Sequence, residues 1–271
     1  MKLAGVTRMT RSASPKYPSV RNALIGALAA GVVGFAYDFI VNDSIGLIDS
    51  ASVAVVAFLG WAIAREIDPD YPSSGPVALA GAGLLAIWTH PHLLLSAVAL
   101  GAVRLLVGTV GGGGPTTVDL FVLVGMAGYA GWQVDGWAIA VIIVVGIMVA
   151  AGPKSWPWAL AAASLATAGA LLSSDRVDPG DESARILAYP VLFIMAVLLA
   201  LPITTNSVSD IGKRPLDSRR LRAARILAAI AVAASAVVSD VYGLTNLGPL
   251  TAAVFSAAIA VPFTRRQSSA L

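Results

Sequence analysis

The sequence contains no cysteine. That excludes disulfides, thiolate nucleophiles and sulfur-ligated metals or clusters. A helical membrane protein needs no disulfide to hold its core, so the absence is neutral as to compartment. Charge is scarce as well. Only 12% of residues are Asp, Glu, Lys or Arg, about half the quarter usual in a soluble domain. Enzyme signatures are also missing. There is no zincin His-Glu motif, no Gly-x-Ser-x-Gly elbow and no Ser-His pairing of catalytic spacing. The Gly111–Gly114 run lacks the Gly-Lys-Ser/Thr of a phosphate-binding P-loop. Glu66-x-Asp68-x-Asp70 has neither the spacing nor the downstream repeat of the aspartate-rich patterns of membrane prenyltransferases and CDP-alcohol phosphotransferases.

What the chain has instead is apolar residues in blocks. Hydrophobic residues make up 57% of it, and the mean hydropathy is +0.81. An α-helix needs about 17–25 apolar residues to cross the roughly 30 Å hydrocarbon layer of a bilayer. Runs near that size lie at 22–41, 45–64, 75–89, 91–110, 117–133, 136–152, 156–173, 186–204, 223–243 and 246–263. They are continuous rather than alternating with period two, which excludes an outer-membrane barrel. Breakers separate them: Asn42-Asp43-Ser44, His90-Pro91-His92, Gly111–Pro115, Gln133–Gly136 and Gly152-Pro153-Lys154. Gly and Pro stop helices for backbone reasons. The pattern predicts an all-α, polytopic integral membrane protein of about ten transmembrane helices. Residues 1–21 form a basic tail, 22–264 a single helical membrane domain and 265–271 a second tail. The first run is too long for a cleaved signal peptide and is read as a retained helix. One re-entrant hairpin would lower the count to about eight without changing the orientation.

Charge orients the map. With both termini cytoplasmic, all of the 18 Lys and Arg residues except Arg176 and Arg185 fall on the inner side, as the positive-inside rule requires. The net charge of +3 and the pI of about 9.4 therefore reflect basic cytoplasmic loops rather than a nucleic-acid partner. Asp217-Ser218 reads as the N-cap of the ninth run. The arginines that follow oppose that helix's dipole, and the anionic inner leaflet is the reason the sequence suggests for them. Small residues such as Ala29-Ala30-Gly31 suit close helix packing in lipid. Trp61, Trp88, Trp132, Trp137, Trp156 and Trp158 sit near span ends, where interfacial aromatics belong.

Ionisable groups within spans are costly and need a partner or a purpose. An outer set comprises Asp38, Asp49 and Asp240, each about one helical turn below the outer surface, with His90 and His92 in an outer turn. Asp38 and Asp49 flank one tight hairpin, and carboxylates brought together share protons. An inner set comprises Arg104, expected about two turns inside the fourth span, and Asp119 at the start of the fifth, which form an easy ion pair across the Gly turn. Glu66, Asp68 and Asp70, presented from a loop beside Pro69 and Pro72, and His90 with His92, are weaker candidates for a metal.

These features lead to the expectation of a multi-pass carrier, a secondary transporter or permease, in the cytoplasmic membrane. It would move a small solute coupled to protons or another ion, with Arg104, Asp119, Asp38, Asp49 and Asp240 in the path. Two alternatives stay open: an integral membrane enzyme on a lipid or isoprenoid phosphate, and a non-catalytic subunit or assembly factor of a membrane complex. The expected partners are membrane lipids and a small solute, then other membrane subunits or a second copy of the chain. No cofactor and no nucleic acid are expected.

Overall fold

The computed structural model describes residues 16–41, 47–71, 73–89, 91–109, 115–133, 136–172 and 215–268. Among these residues the protein is all-α, with no β-strand. The helices are α1 (Pro18–Val41), α2 (Leu47–Ile67), α3 (Ser74–Trp88), α4 (Leu93–Val107), α5 (Thr117–Trp132), α6 (Trp137–Ala151), α7 (Trp156–Leu172), α8 (Ser218–Asn246) and α9 (Gly248–Ser268), with a 3₁₀ turn at Gly152–Ser155 between α6 and α7. Each matches a predicted run to within a few residues. The predicted run at 186–204 lies outside the described residues.

The helix ends follow local chemistry. α1 opens on Pro18, whose missing N–H costs nothing at the first helical position. α2 stops at Ile67 because Asp68 precedes Pro69, and the residue before a proline is pushed out of the helical region. This corrects the sequence boundary: Arg65 and Glu66 belong to the last turn of α2 and not to a loop. α5 is opened by a capping box. The Thr116 side chain accepts from the Asp119 N–H, and Asp119 Oδ2 accepts from the Thr116 N–H. At α8, Asp217 Oδ1 accepts from the Arg219 N–H at 2.8 Å, the N-cap the sequence indicates.

The chain divides into two compact units. One contains α1, α2, α3, α9 and the start of α4. Here α2 packs against α1, α3 and α9, around a core of Val53 and Val56 from α2, Ala82 and Ala86 from α3 and Ala252 from α9. The other runs from Val98 to Leu244 and contains the rest of α4, α5, α6, α7 and most of α8. In it α5, α6 and α7 pack pairwise.

α1 and α2 are long and apolar enough to cross a membrane, whereas α3, α4, α5, α6 and α7 are apolar helices of only 15–17 residues. At about 1.5 Å per residue, those reach about 22–26 Å, short of the hydrocarbon layer. α1 also buries the opposite of what a water-soluble helix buries. Its inward stripe is Ala23, Ala27, Gly31 and Gly34, while Ile25, Leu28, Val32, Phe39 and Ile40 are all more than half exposed. α7 repeats the arrangement, with Ala159 and Ala162 inside and Leu160, Leu165, Leu171 and Leu172 outside.

α5 and α7 approach each other so closely that their backbones meet at glycine. A Cβ placed on Gly131 would overlap the Ala166 carbonyl oxygen, and one on Gly169 would fall 2.9 Å from the Trp132 nitrogen. No side chain fits between backbones that close. Gly131→Val is therefore expected to destabilise the protein by about 1–3 kcal/mol or more, read as a lower melting temperature in detergent. Gly125 lies on the same helix with nothing near its Cβ position, so Gly125→Ala is expected to leave the melting temperature unchanged or slightly raised.

Candidate functional site

The charged knot that joins α2 to α3 folds back on one carbonyl. Tyr71 O accepts from the Arg65 guanidinium at 3.3 Å, from Ser74 Oγ at 2.8 Å and from the Ser74 N–H at 3.3 Å. Three donors on one acceptor lock the turn, and Arg65 is used in building it. The acids are not a solvent-facing row. Glu66 and Asp68 are 1% and 3% exposed, whereas Asp70 is half-buried. The sequence places all three carboxylates on a loop. The structure puts Glu66 on the inward side of α2, because the helix runs on to Ile67 before the proline ends it.

In the other unit a group of polar contacts closes the end of α4. A helix leaves its last carbonyls without intrahelical donors. Here the Gly108 N–H donates to Arg104 O at 2.8 Å, with Gly108 at φ +74°, the left-handed cap that glycine adopts without steric cost. The next two carbonyls go to an arginine far along the chain. Arg220 Nε donates to Leu106 O and Arg220 Nη2 to Leu105 O, each at 2.8 Å. The planar fork of the guanidinium suits two adjacent acceptors, and its charge sits at the negative end of the α4 dipole. Burial lowers the pKa of Arg220 from its ordinary value, and the nearby Asp217 carboxylate opposes that shift. The sequence assigns Arg220 to the lipid surface. The structure turns it inward as a cap.

Arg104 lies in the last turn of α4, closer to the helix end than the two turns expected, because Gly108 ends the helix at Val107. It is half-buried. Asp119 is 1% exposed, and its carboxylate Oδ2 accepts from both the N–H and the hydroxyl of Thr116, each at 2.9 Å. Thr116-x-x-Asp119 ahead of an apolar run is a capping-box pattern, so this role was visible in the sequence.

Arg225, which the sequence groups with the basic residues of the inner face and not with the site candidates, is buried in the structure. It is 2% exposed and among the largest fully buried side chains. It lies four residues after Leu221 and three before Ala228, both buried, and hence on the apolar stripe of α8. That spacing was the available signal. A cation on an inward stripe is costly unless the fold engages it.

The outer candidates are more dispersed. Asp38 is half-buried near the end of α1, and Asp49 is exposed in the first turn of α2, where a carboxylate complements the helix dipole. The His92 side chain is exposed, and its backbone N–H donates to Asn246 O at 3.3 Å. The side chains of His90 and Asp240 lie outside the described residues. Among the described residues, no three His, Asp or Glu side chains gather as a metal-binding group. Protein-family models, curated proteins and solved structures yield no match to the chain.

Two outcomes follow from the caps. Arg220→Ala removes two charge-assisted bonds and is expected to destabilise the protein by roughly 1–3 kcal/mol, with Arg220→Lys recovering only part, as read from melting temperatures. Thr116→Ala is expected to cost about 1 kcal/mol, while Thr116→Ser stays near wild type in the same measurement.

Proposed function

We propose that the chain is a multi-pass carrier of the cytoplasmic membrane, with about ten crossings and both termini cytoplasmic, that moves a small solute coupled to an ion. The observation that carries the membrane part is the inversion in α1 and α7. Large apolar side chains face outward and small ones inward. In water this would leave far more exposed apolar surface than soluble proteins tolerate. In lipid it is favourable, because small residues let helices approach and lipid solvates the rest. Exposed tryptophans support the same reading. Trp88 and Trp132 close α3 and α5, and Trp137 and Trp156 open α6 and α7, where the interface would hold their rings. The shorter helices cross with local thinning of the bilayer and with their end residues at headgroup depth.

The carrier part rests on charge placed where lipid would not tolerate it. Glu66, Asp68, Asp119 and Arg225 are buried, and Arg104 is half-buried. Buried charges at the ends of membrane helices are candidates to line a solute or ion path. In this reading Arg104 holds an anionic group or gates the path beside Asp119, and Asp38, Asp49 and Asp240 serve coupling.

The absence of cysteine makes the wild type a clean background for topology. Ser174→Cys is expected to react with an impermeant maleimide on intact cells, and Ser207→Cys only after permeabilisation. Labelling of both, or the reverse pattern, rejects the orientation. Transport is tested by screening solutes for thermal stabilisation of the purified protein and following any that stabilise it as uptake into proteoliposomes under a pH gradient. Arg104→Ala is expected to cut that uptake about tenfold or more, the factor about 1.4 kcal/mol supplies, with helix content retained. Wild-type uptake by that variant removes Arg104 from the path. A panel that neither stabilises nor enters above empty vesicles rejects the carrier.

A further inference from the structure

We infer that Arg219 and Arg222, at the start of α8, form a surface site for the phosphate of an anionic lipid headgroup. The inference rests on the membrane reading proposed above. α8 has no acidic residue in its first turn, and four of its first eight residues are arginine. The structure sorts these arginines by direction. Arg220 is turned onto the α4 carbonyls and Arg225 is buried, whereas Arg219 and Arg222 are exposed. A spacing of three puts those two on one face of the helix. There they repel each other, and both sit at the positive end of the helix dipole. Asp217 precedes them, with one carboxylate oxygen engaged by the Arg219 N–H. An anion drawn from outside the protein relieves both unfavourable terms.

Two features make lipid the partner. The first is depth. Beyond Arg225 the helix carries no charged residue until Asp240, so the apolar stretch begins about one turn past Arg222. An arginine pair one turn outside an apolar stretch stands at the level of the headgroup phosphates. The second is rigidity. Arg220 fastens the residue between the pair to the end of α4 through two bonds of 2.8 Å, so the first turn of α8 is held in place before any lipid arrives.

Lipid binding to the purified full chain in a neutral detergent tests the site. Melting temperature and native mass spectrometry are read against added phosphatidylglycerol, phosphatidylcholine, inorganic phosphate or a single-stranded oligonucleotide. Wild type is expected to bind and be stabilised by phosphatidylglycerol in preference to phosphatidylcholine, with the preference falling as salt rises. Arg219→Gln with Arg222→Gln is expected to weaken phosphatidylglycerol binding about 25-fold, about fivefold per basic residue. Arg219→Lys with Arg222→Lys, which keeps the charge, is expected to retain most of it. Equal binding of the two lipids by wild type overturns the proposal, as does an unchanged preference in the glutamine variant. Stabilisation by inorganic phosphate alone, or tighter binding of the oligonucleotide, overturns the lipid assignment. If the glutamine variant does not fold, the salt dependence and the lysine variant decide. Carbonate extraction separates this from the membrane reading: protein that stays in the membrane pellet but lacks the lipid preference refutes the headgroup site alone.

Discussion

Backbone groups at a helix end must find partners, and where the surroundings are apolar the protein itself has to supply them. The described polar interactions are largely answers to that requirement. Gly108 and Arg220 complete the end of α4, Thr116 and Asp119 complete the start of α5, and Asp217 completes the start of α8. The turn after α2 gathers three donors on the Tyr71 carbonyl. Among the described residues, Arg65, Asp119, Asp217 and Arg220 are charged side chains used in closing helices or the turn after α2. Any working site has to be built from charges beyond this group or from charges that serve twice, as Asp119 would.

Packing answers a second requirement. Helices that present large apolar side chains outward cannot use those side chains to hold one another. They use small residues instead: Ala23, Ala27, Gly31 and Gly34 on α1, and Gly131 against Ala166 between α5 and α7. At Gly131 and Gly169 contact is backbone against backbone, and dispersion over closely fitted surfaces adds to cohesion. Such contacts tolerate loss of a methyl group better than gain of one.

Much of this was legible in the sequence because Gly and Pro act locally. The runs that became helices, the stop before Pro69 and the N-cap at Asp217 depend on residues within a few positions of each other. The Thr116–Asp119 box was legible on the same terms, although Asp119 first suggests an ion-pair partner for Arg104. Arg220 was not. Nothing near it in sequence points to Leu105 and Leu106, more than a hundred residues earlier, and its neighbours Arg219 and Arg222 do face outward. A basic run has one appearance in sequence and two fates in the fold, and only the helical phase of α8 against its surroundings divides them. Arg225 shows the same limit, with a fainter signal in its spacing from Leu221 and Ala228.

The cap on α4 also has a history in time. Its two donors sit 114 and 115 residues after the carbonyls they satisfy. At ordinary rates of synthesis that separation amounts to on the order of 10 s. For that interval α4 has its glycine turn and no guanidinium, and its last carbonyls depend on water for partners. The arrival of α8 then displaces those temporary partners. The end of α4 is finished late, by a part of the chain that does not yet exist when the helix first forms.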